Sequence, residues 1–186
     1  MRKILILIVI FCIVSCNDDI LPKPKAYLSL EYPQKSYKKL DLRRPYSFSV
    51  LENTTIIDDK NNWLKIQYPN LKASIDITYR PVNNNLKELL VEAEKLVFKH
   101  AVKAEQIVPK DFVNLEKRVF GSLYEITGNA ASHLQFHVTD STHNFIKGSL
   151  YFYAKPNYDS ILPAVAYIKE DILQLVESLE WKENPK

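Results

Sequence analysis

The stretch Val119–Ala154, VFGSLYEITGNAASHLQFHVTDSTHNFIKGSLYFYA, decides the fold class. Three segments in it alternate apolar and polar residues, the period-two pattern of a strand with one buried face. Val119 to Ile126 is the first, the clearest part of alternating stretches that begin at Phe112. In the second, Leu134, Phe136 and Val138 alternate with His133, Gln135 and His137. Phe145 to Ala154, the most aromatic run, is the third. Gly128-Asn129 and the polar run Asp140–Asn144 supply the turns between them. Links this short join antiparallel neighbours, because a parallel pair needs a crossover of about a dozen residues.

Outward from this core the period changes. From Asn85 to His100, apolar residues fall at Leu86, Leu89, Leu90, Ala93, Leu96 and Val97, which is helix spacing. Asn85 is placed to cap the first turn, with Glu88 three residues later as in a capping box. On the other side, Ser160 is the expected cap of a last helix that tolerates Pro163 in its first turn. Its apolar stripe is Val165, Ile168, Ile172, Leu175, Val176 and Leu179, and Trp181 closes the domain.

Farther upstream, Trp63–Tyr68 and Ala73–Tyr79 alternate as strands. Tyr46–Leu51 and Thr54–Ile57 flank Glu52-Asn53 as a predicted hairpin. Ser36–Pro45 reads as a basic, polar connection, and Ala26–Tyr32 as a strand ended by Pro33. The expectation is an α+β fold: an antiparallel sheet packed with two amphipathic helices, in a single domain over 26–186. The element order resembles the PsbP/Mog1-like sandwich, a likeness that carries no function by itself.

The N-terminus points to export. Arg2 and Lys3 precede the apolar run Ile4–Val14. A membrane-spanning helix takes roughly 20 residues, so this run has the length of a signal-peptide core. It ends in Ile13-Val14-Ser15-Cys16, which resembles a bacterial lipobox. Residues 1–15 are therefore read as a lipoprotein signal peptide and Cys16 as the lipid attachment site. Its thiol takes a diacylglycerol, and the amine freed by cleavage takes a further acyl chain of the palmitate class. Each buried methylene contributes about 0.8 kcal/mol, so several chains anchor far better than one. Residues 16–25, polar with Pro22 and Pro24, read as an extended tether. Cys12 falls in the signal, which leaves the mature chain without a disulfide. The expected location is the cell envelope, anchored to the inner or outer membrane, with the domain in the periplasm.

Composition excludes several classes. Without Arg2 and Lys3 the chain has 23 basic and 22 acidic residues, so no basic block marks a nucleic-acid surface. Three glycines leave no phosphate-cradling loop. His133 and His137 stand at i, i+4, but on a strand their rings start about 13 Å apart, too far for one metal. His100, at a helix end, suits the helix dipole. Ser132, Ser141, His133, His143 and Asp140 are close in sequence, without a nucleophile elbow. Asp58-Asp59 and Glu170-Asp171 read as solvated carboxylates in a turn and on a helix face. No catalytic residue, metal or cofactor is assigned. Tyr151, Tyr153 and Tyr158 are the candidate interaction surface, since aromatics of this kind anchor interfaces. The competing readings are a small-molecule or peptidoglycan-binding module with a Tyr-lined sheet–helix cleft, and an envelope hydrolase.

Several segments carry a family resemblance. These are Pro22–Leu28, Pro45–Phe48, Tyr68–Ala73, Gly128–Ser132, Val138–Thr142 and Gly148–Ser160. They resemble the gliding motility lipoprotein GldD family, from the lipobox to Leu179–Lys182. The resemblance implies an accessory component of bacterial gliding linked to type IX secretion, with other envelope proteins as partners and no established enzymatic residues. Some relatives place Cys near the positions of Arg44 and Asn62, and this chain does not.

Overall fold

The computed structural model describes residues 32–100, 102–153 and 158–182. The signal, Cys12, Cys16, the tether and all but the last residue of the strand predicted at Ala26–Tyr32 lie outside the described residues.

Ten strands and two helices are described. The strands are β1 (Tyr37–Leu40), β2 (Tyr46–Leu51), β3 (Thr55–Asp58), β4 (Leu64–Tyr68), β5 (Ala73–Pro81), β6 (Ala104–Asn114), β7 (Val119–Gly128), β8 (Leu134–Thr139), β9 (Asn144–Phe152) and β10 (Glu180–Trp181). The helices are α1 (Leu86–His100) and α2 (Tyr158–Glu177). Seven strands form one antiparallel sheet in the order β3-β4-β5-β9-β8-β7-β6, and β1-β2-β10 form a second. This is the expected α+β sandwich.

Alternation along the large sheet separates its two faces. Ile66, Ile75, Ile77, Leu134, Phe136, Val138, Ile146 and Leu150 join one core with Ile168, Ile172, Leu175 and Val176 of α2 and Phe48 and Val50 of the small sheet. Each fully buried aliphatic side chain contributes about 1.5–3 kcal/mol, so this face dominates the stability. Phe136 is central, and its register partner is Gly148. A Cβ there would lie 2.2 Å from the Phe136 ring, so the glycine makes room for it. The opposite face is covered only in part. Leu89 and Ala93 of α1 pack on Val82 and Phe145, and Val97 packs on Ile126 and Ala130.

Four elements depart from the sequence reading. Ser36–Pro45 contains β1, which pairs residue by residue with β2; its lysines project outward while Tyr37 and Leu40 are half-buried. The predicted hairpin over Tyr46–Leu51 and Thr54–Ile57 does not form. β2 joins β1 and β10, with Trp181 opposite Tyr46, and β3 joins β4 in the other sheet. β6 begins well before Phe112 and is an exposed edge strand, so it carries no buried alternation. α2 starts at Tyr158, which puts Ser160 within its first turn, not at its cap. Asn85 Oδ1 accepts from the Asn83 N–H at 2.8 Å and so closes the turn before α1.

Candidate functional site

The open part of the large sheet lies over β4, β5 and β9. Register aligns Lys65 with Asp76, Gln67 with Ser74, and Ser74 with Tyr151 on that face. Lys65 pairs with Asp76 at 3.1 Å, and Ser74 Oγ donates to Asp76 at 2.7 Å. The hydrogen bond to Asp76 raises the Lys65 ammonium above its ordinary pKa, and Tyr153 adds to the effect. Tyr151 is half-buried and burial raises its phenol, while Tyr153 is 58% exposed. Tyr153 is held by its own N–H, which donates to Lys72 O at 2.8 Å. Among the described residues, Tyr151 and Tyr153 therefore stand with Lys65 on a partly exposed polar surface. Tyr158 opens α2 and stacks on His133 with ring centroids 5.3 Å apart.

Both histidines are buried, not half-exposed as the strand pattern suggested. His133 Nε2 lies 3.1 Å from Gly128 O, and His137 stacks on Phe145 at 5.9 Å. Burial lowers both pKa values, which keeps the rings neutral; for His133 the Gly128 carbonyl offsets part of the effect. The exposed side of the strand is thus covered by α1, Tyr124 and Tyr158, contacts that local sequence does not reveal. Among the described residues no group of three His, Cys, Asp or Glu side chains is placed to hold a metal.

The polar cluster around residue 140 organises a loop. Asp140 Oδ1 accepts the N–H groups of Thr142, His143 and Asn144 at 2.8–2.9 Å, and Asn144 Nδ2 donates to Oδ2 at 2.7 Å. Burial alone would raise its pKa, but these donors outweigh burial and hold the carboxyl below its usual value. Ser132 Oγ donates to Leu134 O at 3.1 Å, and His143 Nδ1 lies 3.0 Å from Thr142 Oγ1.

A second charged cluster escaped the sequence reading. Asp171, expected on a solvated helix face, is only 4% exposed. Tyr37 OH donates to its Oδ1 at 2.7 Å, and Lys35 Nζ lies 2.8 Å from the same atom. Lys35 also pairs with Glu170 at 3.0 Å, donates to Tyr167 O at 2.6 Å and sits 4.1 Å over the Tyr167 ring. Burial, then Asp171, push the phenols of Tyr37 and Tyr68 well above their ordinary range. Beside this network a cleft of about 100 Å³ is lined by Tyr32, Leu51, Tyr68, Leu71 and Tyr167. The other predicted carboxylate pair is also engaged. Asp58 pairs with buried Arg44, and Asp59 accepts from the Lys60 N–H at 2.7 Å.

The model of the family described as gliding motility lipoprotein GldD matches residues 17–181. The chain belongs to this family. No curated protein matches it. The GldD family is a motility lipoprotein family, which makes the chain a membrane-anchored envelope protein of the gliding system. Among the described residues no helix is long and apolar enough to cross a membrane. The segments that carry the GldD resemblance lie mainly at turns and core positions. Tyr68–Ala73 forms the β4–β5 turn, with Lys72 at φ 48°. Gly128, at φ +84°, presents the carbonyl that meets His133, and Val138–Thr142 holds Asp140. Gly148–Phe152 lies along β9 beside the open face. These segments therefore combine fold-specific geometry with the strand that presents Tyr151.

Proposed function

We propose that this protein is an accessory lipoprotein of the gliding and type IX secretion apparatus, in which lipid on Cys16 tethers an interaction domain to a membrane. The observation that carries the reading is the GldD family match over 17–181, directly after a lipobox-like Ile13-Val14-Ser15-Cys16. Tethering raises the effective concentration of the domain near envelope partners, so weak contacts suffice. The open face bearing Lys65, Tyr151 and Tyr153 is the proposed contact surface, since aromatics are enriched in protein interfaces and charged groups suit their polar rim. The Tyr-lined cleft between β4 and α2 encloses about 100 Å³, against about 300–1,000 Å³ for ordinary small-molecule sites. That size counts against this cleft as an ordinary small-molecule site.

The test replaces Cys16 with Ala in the full-length chain. Gliding should be lost, and mass spectrometry should find no lipid-modified form, while the domain keeps its thermal transition. Normal gliding by an unlipidated protein refutes the tether.

A further inference from the structure

Helix α1 packs its inner face on the sheet through Leu89, Ala93 and Val97, yet its outer face is not wholly polar. Val91 is 40% exposed and Phe98 is 59% exposed, and a spacing of seven residues puts them in one line along the helix. Val102 follows just past the helix end and is 83% exposed. The run from Lys95 to Ala104 around these side chains holds three lysines and no acidic residue. Lys95, Lys99 and Lys103 are all exposed. The acids that flank the run, Glu94 and Glu105, act on rings packed at the sheet. Burial and then Glu94 raise the Tyr124 phenol, and burial and then Glu105 raise that of Tyr158. The Glu105 stem also lies against Gly128, with its Cγ 3.0 Å from where a Cβ of that glycine would stand. Lysines in a last helical turn complement the helix dipole, but the dipole gives no reason for Phe98 and Val102 to stand in water.

Sheet register places this patch. Val97 packs on Ile126 and Ala130, and Ala104 pairs with Gly128, so α1 finishes at the end of the sheet where β7 finishes. The β4–β5 turn lies at the same end, because Ala73 pairs with Phe152, Gln135 with Ser149, and Glu125 with Leu134. The chain enters the described fold there. Tyr32 stacks on Tyr167 with ring centroids 4.6 Å apart and lines the cleft with Tyr68 and Leu71. Four strand spacings separate β4 from β7, so the entry point and the patch stand about 20 Å apart on one end of the domain. In a membrane-anchored lipoprotein, this is the end that the N-terminal attachment draws toward the bilayer. Val113 and Leu115, at the β6–β7 turn, are also exposed but lie at the opposite end.

We propose that Phe98, Val102 and the lysines around them rest on an anionic phospholipid surface, so that the domain docks on its own anchoring membrane with the C-terminal end of α1 toward the lipid. Phe98 and Val102 enter the headgroup boundary. Lys95, Lys99 and Lys103 lay their stems along it and set their ammonium groups on phosphates. Each lysine near such a surface strengthens binding about fivefold. So small a patch does not hold a protein on a membrane by itself, but a tether keeps it within reach. The proposal rests on the lipid tether and adds an orientation to it.

The test uses the full-length protein, produced in cells that process lipoproteins and reconstituted into vesicles of phosphatidylethanolamine and phosphatidylglycerol. Mass spectrometry first establishes lipid on Cys16, which blocks that thiol. Cys12 leaves with the signal, so a cysteine introduced by Val102→Cys or, at the opposite end, by Leu115→Cys is the one thiol open to an environment-sensitive fluorophore. The Val102→Cys probe should brighten, shift to the blue and be quenched by nitroxide-labelled lipid. The Leu115→Cys probe should do none of these. Adding Phe98→Glu to Val102→Cys should lower the docking equilibrium about tenfold, the effect of withdrawing part of an aromatic side chain from an apolar contact. Vesicles of phosphatidylcholine should lower it too. If the Phe98→Glu protein does not fold by circular dichroism, replacement of Lys95, Lys99 and Lys103 with Gln decides, with a loss of docking expected on the anionic vesicles. Equal signals from the two probes, or undiminished docking by folded patch variants, overturn the proposal while the anchor stands, and assign the patch to a protein partner. An unmodified Cys16 overturns the tether and the proposal together.

Discussion

Asp171→Asn should destabilise the domain far more than removal of a helix-surface carboxylate. The side chain of Asp171 is 3% exposed, and that of its partner Lys35 is 16% exposed. The substitution removes the negative charge 2.8 Å from the ammonium and weakens the acceptor of the Tyr37 hydroxyl. Breaking a fully buried pair costs about 3–5 kcal/mol. That is an upper bound here, because Glu170 at 3.0 Å and Tyr167 O at 2.6 Å still hold Lys35. A single hydrogen bond to a charged group contributes about 1.5–3 kcal/mol. The expected loss is therefore about 2–3 kcal/mol, which for a domain of this size lowers Tm by about 5–10 °C. Thermal and urea unfolding followed by circular dichroism measure it. The double variant Lys35→Met, Asp171→Leu removes both charges and should recover most of the loss, since apolar replacement of a buried pair is often neutral. An Asp171→Asn protein within about 0.5 kcal/mol of wild type, the usual range for surface substitutions, would refute the reasoning.

Two further perturbations test the packing and the titration of the sheet. At Gly121 a Cβ would lie 1.9 Å from the backbone oxygen of His137, and at Gly148 it would meet the Phe136 ring at 2.2 Å. A ring can shift within the core, at about 1–3 kcal/mol, but a strand backbone cannot move without losing ladder bonds. Gly121→Ala should therefore be the more damaging of the two in urea unfolding, and the reverse order would contradict this account of the β7–β8 contact. Burial lowers the pKa of His133 and His137 in the folded state, whereas the unfolded chain protonates them near about pH 6.5. Fewer protons are then bound in the fold. Their stabilising contribution is complete above about pH 6.5 and is lost as the pH falls toward the folded values, by at most about 1.4 kcal/mol per pH unit for each histidine. Urea midpoints at pH 7.5 and 5.5 should differ in that direction, and His137→Gln should reduce the difference. A midpoint independent of pH over this interval would count against neutral buried histidines.

Where the sequence was legible, short-range pattern and burial agreed. The alternation at Leu134, Phe136 and Val138 identifies the face that meets α2, and the stripe from Val165 to Leu179 identifies the face of α2 that meets the sheet. Pattern failed where the partner of a segment is distant in the chain. β2 is buried on both faces because β1 and β10 flank it and α2 covers it, and Trp181 reaches it from the far end of the sequence. Nothing local to Tyr46–Leu51 distinguishes that arrangement from a hairpin with Thr54–Ile57. The same limit hid the Asp171 network. Its acceptor lies on α2, its donor Tyr37 lies in Ser36–Pro45, whose lysines made it look like a solvated connection, and Lys35 directly precedes that stretch. The candidate surface was partly legible. Tyr151 and Tyr153 fall on the open face as exposed aromatics do, but Trp63 looked like one more alternating strand residue.

The two faces of the large sheet follow different physical rules. The covered face is filled by aliphatic residues and a phenylalanine that needs Gly148 opposite it, so substitutions there act first on stability. Over β4 and β5, among the described residues, the other face carries Lys65, Gln67, Asp76, Thr78 and Arg80 between Trp63 and Tyr153, and α1 reaches it at Arg80 through Glu92. Side chains there contribute little to the core, so truncating them should spare the fold while altering what the surface binds. Replacing Lys65 with Ala tests this separation directly. Its pair with Asp76 is more than one-third exposed on both sides, and exposed pairs contribute about 0–1 kcal/mol. Thermal unfolding should then change by less than about 4 °C. Crosslinking of the lipid-anchored protein to envelope partners in intact cells should fall, because Lys65 stands with Tyr151 and Tyr153 on the proposed contact surface. A large loss of stability would mean that this face is part of the core after all, and unchanged crosslinking would remove it from the interface.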